Sequence, residues 1–155
     1  KSGLFTMEEA TAHIQSLVEK QLLTEEEGKA IDVSKIVAFY ATDIGLRLLQ
    51  ATHVLKEVPF TLSIKTNGDD AQIIQGVIDC MFEEADGEWV LLDYKTDKIL
   101  SHFAEGQALY KEMANRYETQ LNYYTQAIES IKRVKVKEKV LYLYDIGQSL
   151  SMDVQ

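Results

Sequence analysis

The sequence predicts a mixed α/β fold, a central sheet flanked by helices, and three observations predict it. Before Val54 apolar residues recur at helical spacing, and from Val54 they alternate, so the period changes from 3.6 residues to 2. Between Gln72 and Tyr94 two apolar runs rich in β-formers flank the turn signal Asp86-Gly87, the pattern of a hairpin. One amphipathic stretch, Ala104 to about Arg133, then precedes a last alternating run from Lys135 to Tyr144. A strand reached through a long helix joins its sheet by a crossover.

The elements follow in order. Residues Thr6 to Lys20 form a helix with Ala10, Ile14, Leu17 and Val18 on one face, and Thr6 with Glu9 fits a capping box. Thr24 caps a short helix whose first turn, Glu25-Glu26-Glu27, is acidic as the helix dipole prefers. Asp32 or Ser34 caps a third through Ile36, Val37, Phe39 and Tyr40, and Asp43 starts a fourth with Leu46, Leu48 and Leu49. These helices read as packing, and His13 and His53 stand isolated. Val54 to Ile64 is the first strand, and its Pro59 suggests an edge or an irregular start. A turn at Asn67-Gly68-Asp69-Asp70 leads to a second strand, Gln72 to Phe82, and a third runs from Glu88 to Tyr94, giving an antiparallel meander. The long helix, expected to break near its start, carries Met113, Tyr117, Gln120, Tyr124 and Ile128 on one stripe.

Composition bounds the function. The 155 residues suffice for one core, so a single domain is expected over 1–155, with a helical lead-in at 1–53 and a core at 54–155. A hydrophobic share of 46% with one proline reads as folded. The net charge of −9 argues against an overall field that attracts nucleic acid, though not against a local site. The lone Cys80 excludes an internal disulfide and an iron–sulfur cluster within the chain. No apolar run approaches the ~18 residues of a membrane span and no signal peptide opens the chain, so no membrane partner and a cytoplasmic location are expected. The start at Lys1 without a methionine and the end at Asp153-Val154-Gln155 suggest a piece of a longer protein. No Gly-rich loop ending in Gly-Lys-Ser/Thr is present, so ATP hydrolysis is not expected of this chain.

The chemistry-bearing residues sit on the hairpin. Asp93 and Lys95, two apart on one strand, share a side of the sheet, and the hairpin brings Asp79 beside them. Two carboxylates and an ammonium on an apolar ribbon are costly to bury unless they pair or bind something. Such a set suits a phosphodiesterase using Mg²⁺ or Mn²⁺: hard oxygens hold the ion, which polarises phosphate and activates water, and lysine meets the charge that accumulates on the phosphate. The plain alternative is a β-turn acid at Asp79 and a cross-face ion pair, since Asp-x-Lys is common by chance.

Three motifs in order are more specific. Gln75-Gly76-Val77-Ile78-Asp79, Leu92-Asp93-Tyr94-Lys95-Thr96-Asp97 and Arg116-Tyr117-x-x-Gln120, followed by Tyr124, resemble the RecB-like branch of the PD-(D/E)xK nucleases. More closely, they are similar to the C-terminal nuclease domain of AddA subunits in bacterial AddAB helicase–nucleases, and the likeness runs over most of the chain. The resemblance implies a restriction-endonuclease-like αβββαβ core, a mixed sheet flanked by helices, preceded by N-terminal helices. It implies Asp79, Asp93 and the main-chain carbonyl of Tyr94 as ligands to Mg²⁺ or Mn²⁺, and Lys95 as the catalytic lysine. By the same resemblance Glu57 is the acidic residue of the first core strand near the metal, and Gln120, Tyr124 and Gln75 support the site or touch DNA. The implied substrate is single-stranded DNA during double-strand-break resection. The implied partners are the protein's own upstream helicase domains, which alone use ATP, and the AddB-like half of the complex. The family's usual histidine, on a helix ahead of this region, has no equivalent here.

Plainer readings stand beside these. Gln120 and Tyr124 also fit the edge of a helix core, and Glu57 a solvated strand residue. Asp97 and Lys98 belong to the loop after the third strand, where Lys98 is within reach of a phosphate. Trp89 and Phe82 read as packing. The run Lys132-Arg133-x-Lys135-x-Lys137-x-Lys139 reads as a solvated helix end or an edge-strand guard, or else as a contact to DNA or a partner. Two rival functions remain: a non-catalytic nuclease-fold module that scaffolds a partner or guides DNA, and a stand-alone RecB-like nuclease, of a kind that often uses several cysteines for an iron–sulfur cluster.

Overall fold

A computed structural model describes residues 6–65, 68, 70–100 and 105–152. The chain divides into two compact units, Lys1–Gln50 and Ala51–Gln155. Among the described residues no helix is long and apolar enough to cross a membrane.

The first unit contains α1 (Met7–Glu19), α2 (Glu25–Ala30), α3 (Val33–Tyr40) and α4 (Asp43–Gln50). Local chemistry sets its boundaries. Thr6 and Thr24 each form a complete capping box, with Glu9 and Glu27 respectively, and the Asp32 side chain accepts from Ser34 N to cap α3. Ahead of α4 the Thr42 hydroxyl accepts from Gly45 N at 3.2 Å and donates to Phe39 O at 2.5 Å. Gly45 is required there, because a Cβ would collide with the Phe39 carbonyl. Ala10, Phe39, Ile44 and Leu48 are the buried apolar residues of this unit.

The second unit is a five-stranded mixed sheet in chain order: β1 (His53–Lys65), β2 (Ala71–Glu83), β3 (Trp89–Lys95), β4 (Val136–Leu143) and β5 (Gln148–Ser151). β1, β2 and β3 are an antiparallel meander, as expected; α5 (Gly106–Lys132) carries the chain across to β4, which runs parallel to β3. The architecture is that of a PD-(D/E)xK-like core. Pro59 sits in β1, an edge strand, where its missing N–H leaves no ladder gap on the open side. The Asp86-Gly87 turn forms with Gly87 at φ 82°, a conformation glycine adopts freely.

Two expectations need correction. α5 is unbroken from Gly106 to Lys132, since its sequence has no proline and only its first residue is glycine; the expected start at Ala104 lies outside the described residues, as do Asn67 and Asp69 of the first turn. β5 pairs with Val140–Leu143 only, so Val136–Lys139, where the basic run enters β4, has no partner in β5. β5 itself was not expected.

One face of the sheet packs under α5 through Phe60, Ile78, Met81, Leu91, Leu141 and Leu143 against Leu109, Met113, Leu121, Tyr124, Ala127 and Ile128. On the other side chains of the same strands, Cys80, Phe82, Val90, Leu92, Val140 and Tyr142 are also buried. Strands buried on both faces read as continuous apolar runs, which is why Val90-Leu91-Leu92 and Val140-Leu141-Tyr142-Leu143 lack alternation.

Candidate active site

The site forms where the β2–β3 ladder stops. Cross-strand pairing runs from Glu83 opposite Trp89 to Cys80 opposite Leu92 and goes no further. The next row in that register is Asp79 and Asp93. There a side chain replaces the ladder: Asp79 Oδ2 accepts from Tyr94 N at 3.0 Å. The carboxylate thus satisfies a backbone donor that the diverging strands would leave open, and it is fixed beside Asp93 as a result.

Asp93 is the one buried charged residue among those described, at 2% exposure. Burial holds its carboxyl above the usual aspartate range; Lys95 pulls it down, and the neighbouring Asp79 carboxylate pushes it up again. Lys95 Nζ lies 2.7 Å from Asp93 Oδ2, an ion pair at a buried carboxylate. Holding that charge away from water is expensive even with a partner.

Lys95 is positioned from above by α5. Its ammonium donates to Gln120 Oε1 at 2.9 Å, and Gln120 Nε2 donates to Tyr124 Oη at 3.0 Å. The Tyr124 ring meets Phe60 edge-on with centroids 5.4 Å apart, and its hydroxyl is held above the ordinary tyrosine range by burial and by Asp93 and Asp79. Gly76 makes room for this packing, since a Cβ would come within 2.8 Å of Phe60 Cε1. The Tyr117 ring lies under the lysine, 4.4 Å from Nζ to centroid, a cation–π contact. Burial and Asp97 push the Tyr117 hydroxyl up to about 12. Residues 117, 120 and 124 thus address one lysine from successive turns of one helix face.

Of the residues singled out by sequence, Asp79, Asp93, Tyr94, Lys95, Gln120 and Tyr124 come together. Two do not. Glu57 is exposed, and among the described residues no group of three or more His, Cys, Asp or Glu is arranged so that it could hold a metal ion. Gln75 is exposed, with its amide donating to Thr61 Oγ1 at 3.3 Å. Tyr117 is the addition: a tyrosine in a helical stripe gives no sequence sign of whether it covers a core or a cation. Cys80 is fully buried and its thiol is pushed up to about 11 by burial, which suits packing and not chemistry. His53 Nδ1 lies 2.6 Å from Glu83 Oε2 and ties the start of β1 to the end of β2.

Two adjacent carboxylates, one of them buried, suit a small hard dication. Mg²⁺ in particular is held by one or two carboxylates and keeps water for its remaining positions.

No family model matches the chain. Curated relatives do. The AddA-type subunit of the ATP-dependent helicase/nuclease of Lysinibacillus sphaericus is 52% identical over 148 residues, 96% of this chain and 12% of the relative. The same protein from Bacillus velezensis is 43% identical over 157 residues, 95% of this chain and 13% of its own, and that from Pelotomaculum thermopropionicum 39% over 161, 98% and 12%. The chain spans about an eighth of the length of the curated relatives it matches. The crystal structure of SSO0001 aligns with 97% of this chain and 66% of its own at 12% identity and a TM-score of 0.43, too loose a likeness to show a shared fold. The chain is homologous to a segment of the AddA proteins of ATP-dependent helicase/nucleases.

Proposed function

We propose that this chain is the metal-dependent DNA-cutting domain, C-terminal in its parent, of an ATP-dependent helicase–nuclease subunit that acts in the cytoplasm. The observation that carries the reading is the buried Asp93 between a second carboxylate and a lysine that α5 holds in place.

Asp79, Asp93 and the Tyr94 carbonyl would hold Mg²⁺ or Mn²⁺. When bound, the ion supplies Lewis-acid polarisation of the scissile phosphate and an acidified water. Asp93 contributes charge from a dry position, where its attraction for a dication is weakly screened. Lys95 presents an ammonium where negative charge builds on the phosphate, and it orients the attacking water. Gln120 restricts that ammonium to one direction, and Tyr124 and Phe60 fix Gln120. The Tyr117 ring keeps Lys95 close to the site without neutralising it. Gln75 lies outside this set and is left for contacts along a DNA strand; the exposed Glu57 carboxylate lies outside it too. In a complex with an AddB-like partner, the substrate is single-stranded DNA produced by the parent's own upstream helicase, which uses the ATP.

A non-catalytic nuclease-fold module that guides DNA is the competing reading, favoured by the lack of a third acidic or histidine side chain near Asp79 and Asp93 among the described residues. Cutting of end-labelled single-stranded DNA in Mg²⁺ or Mn²⁺ decides between them, with the chain, Lys95→Ala and a version extended upstream in parallel. Metal-dependent cutting that Lys95→Ala abolishes supports the nuclease. Inertness and no metal uptake, even in the extended protein, favour the guide.

A further inference from the structure

Past the row of Cys80 and Leu92, β3 no longer pairs with β2, and β1 and β2 run on as a two-stranded ribbon, from Val58 opposite Ile78 to Lys65 opposite Ala71. Alternation divides its side chains between two faces. Val58, Phe60, Leu62, Ile74 and Ile78 belong to the core beneath α5. The other face, from Pro59 opposite Val77 to Lys65 opposite Ala71, is exposed at every position.

The chain carries 25 acids against 16 Lys and Arg. Neither stretch of the ribbon, Val58–Lys65 or Ala71–Ile78, contains an acid, and Lys65 is the one charged residue in them. Glu57, at φ 50°, Asp70 and Asp79 flank these stretches. A net charge of −9 repels a polyanion, and an acid-free face is where that repulsion is locally weakest.

The side chains on the face suit a nucleic-acid backbone. Thr61 stands opposite Gln75 and Ser63 opposite Ile73, so hydroxyl and amide donors, of the kind that contact phosphate and sugar, alternate with apolar surface from Ile73 and Val77, 66% and 51% exposed. β2 carries the face to the site, because Val77 is two residues ahead of Asp79, about 7 Å of strand. An uncharged face also suits a protein partner, but a row of phosphate donors leading to the paired carboxylates favours DNA.

We propose that single-stranded DNA lies along this face of the β1–β2 ribbon, with its phosphates against Lys65, Ser63, Thr61 and Gln75, and enters the site past Val77. The choice of DNA rests on the nuclease reading and adds to it the path of the substrate.

The test is the fluorescence anisotropy of a labelled oligothymidylate at low salt in EDTA, where no strand is cut. Thr61→Glu and Ser63→Glu should each weaken binding at least about fivefold, the scale of one like-charge contact in water. Gln126→Glu places the same charge at an exposed position of α5 and should stay within about twofold of the parent, which controls for net charge. Lys65→Gln should reduce the slope of log affinity against log salt by about 0.7, one phosphate contact on a single strand. If the parent binds and both ribbon acids behave like Gln126→Glu, the path is overturned while the nuclease reading stands, and the face belongs to a protein partner. If the parent binds no oligonucleotide, the path and the DNA reading fall together. If an acid variant does not fold, Lys65→Gln decides, and an unchanged salt slope overturns the path.

Discussion

Two lysines in the sheet unit sit among carboxylates, and the settings make them opposites. Lys137 on β4 lies 2.7 Å from Glu84 and from Asp86 and 3.5 Å from Glu88, pinning the β2–β3 hairpin turn to β4 in partly open surroundings. Lys95 has one carboxylate at 2.7 Å, and that carboxylate is 3% exposed and faces a second acid instead of water. At Lys137 the positive charge is outnumbered and the acids gain: Asp86 is held below the usual range, mainly by its hydrogen bond from Lys137. At Lys95 burial wins, and Asp93 is held above it. Ion pairing alone therefore does not mark a site. A carboxylate kept charged against its surroundings does, because only a further cation or a proton resolves it.

The sharpest way to break the comparison is to remove each lysine. Lys95→Ala is expected to lower DNA cutting on the order of a thousandfold, the scale of a charge-stabilising donor, without weakening Mn²⁺ binding, since the competing ammonium is gone. Its metal-free melting temperature falls, because Asp93 is left buried without a counter-charge, and Mn²⁺ restores more of the midpoint than it does in the parent. A loss of Mn²⁺ affinity parallel to the loss of cutting would instead make Lys95 part of the framework. Gln120→Ala comes next. It frees Lys95 Nζ and strips the partner of the Tyr124 hydroxyl, and should cost about 10–100-fold in cutting rate with little change in Mn²⁺ affinity, both measurable on one labelled oligonucleotide.

How far the sequence reached follows the range of the physics. The caps at Thr6 and Thr24 were legible because a capping box is complete within four residues, and the cap of α3 was narrowed to Asp32 or Ser34. Asp79, Asp93 and Lys95 were legible because strand parity and one hairpin suffice to bring them together. β5 was not: of Gln148-Ser149-Leu150-Ser151 only Leu150 is even partly buried, so no alternation shows. Tyr117 was placed in the right stripe, but whether that stripe covers Leu side chains or an ammonium depends on what crosses it. Glu57 shows the limit most clearly, since its position in the motif order is visible and its φ is not.

Acid sharpens the comparison with opposite signs. A raised folded pKa, as for Asp93, favours the protonated fold: that contribution is present below the unfolded aspartate value and lost as pH rises through the folded one. A depressed pKa, as for Asp86, gives stability present above the unfolded value and lost as pH falls through the folded one. Hence metal-free Asp93→Asn should melt above the parent at neutral pH, with the gap closing on acidification through the raised pKa of Asp93. Asp86→Asn should melt below it, with the gap closing only at lower pH. Thermal melts across pH 3–7, on the order of one point per half unit across the aspartate range, read both. Gaps of the same sign would mean that Asp93 is an ordinary structural acid.

The smallest effect is expected at the cluster with the most ion contacts. Lys137→Met removes contacts to three carboxylates, yet the cluster is partly open to water, and exposed pairs contribute little. Its melting temperature should fall only slightly, and the difference should vanish in about 1 M NaCl, where screening acts within ~3 Å. DNA cutting should be unchanged. The three acids left at the hairpin repel one another, so the low-salt deficit should grow as ionic strength drops further. A deficit that survives high salt would mean that the methylene stem of Lys137 packs over the hairpin, and charge would then explain neither cluster on its own.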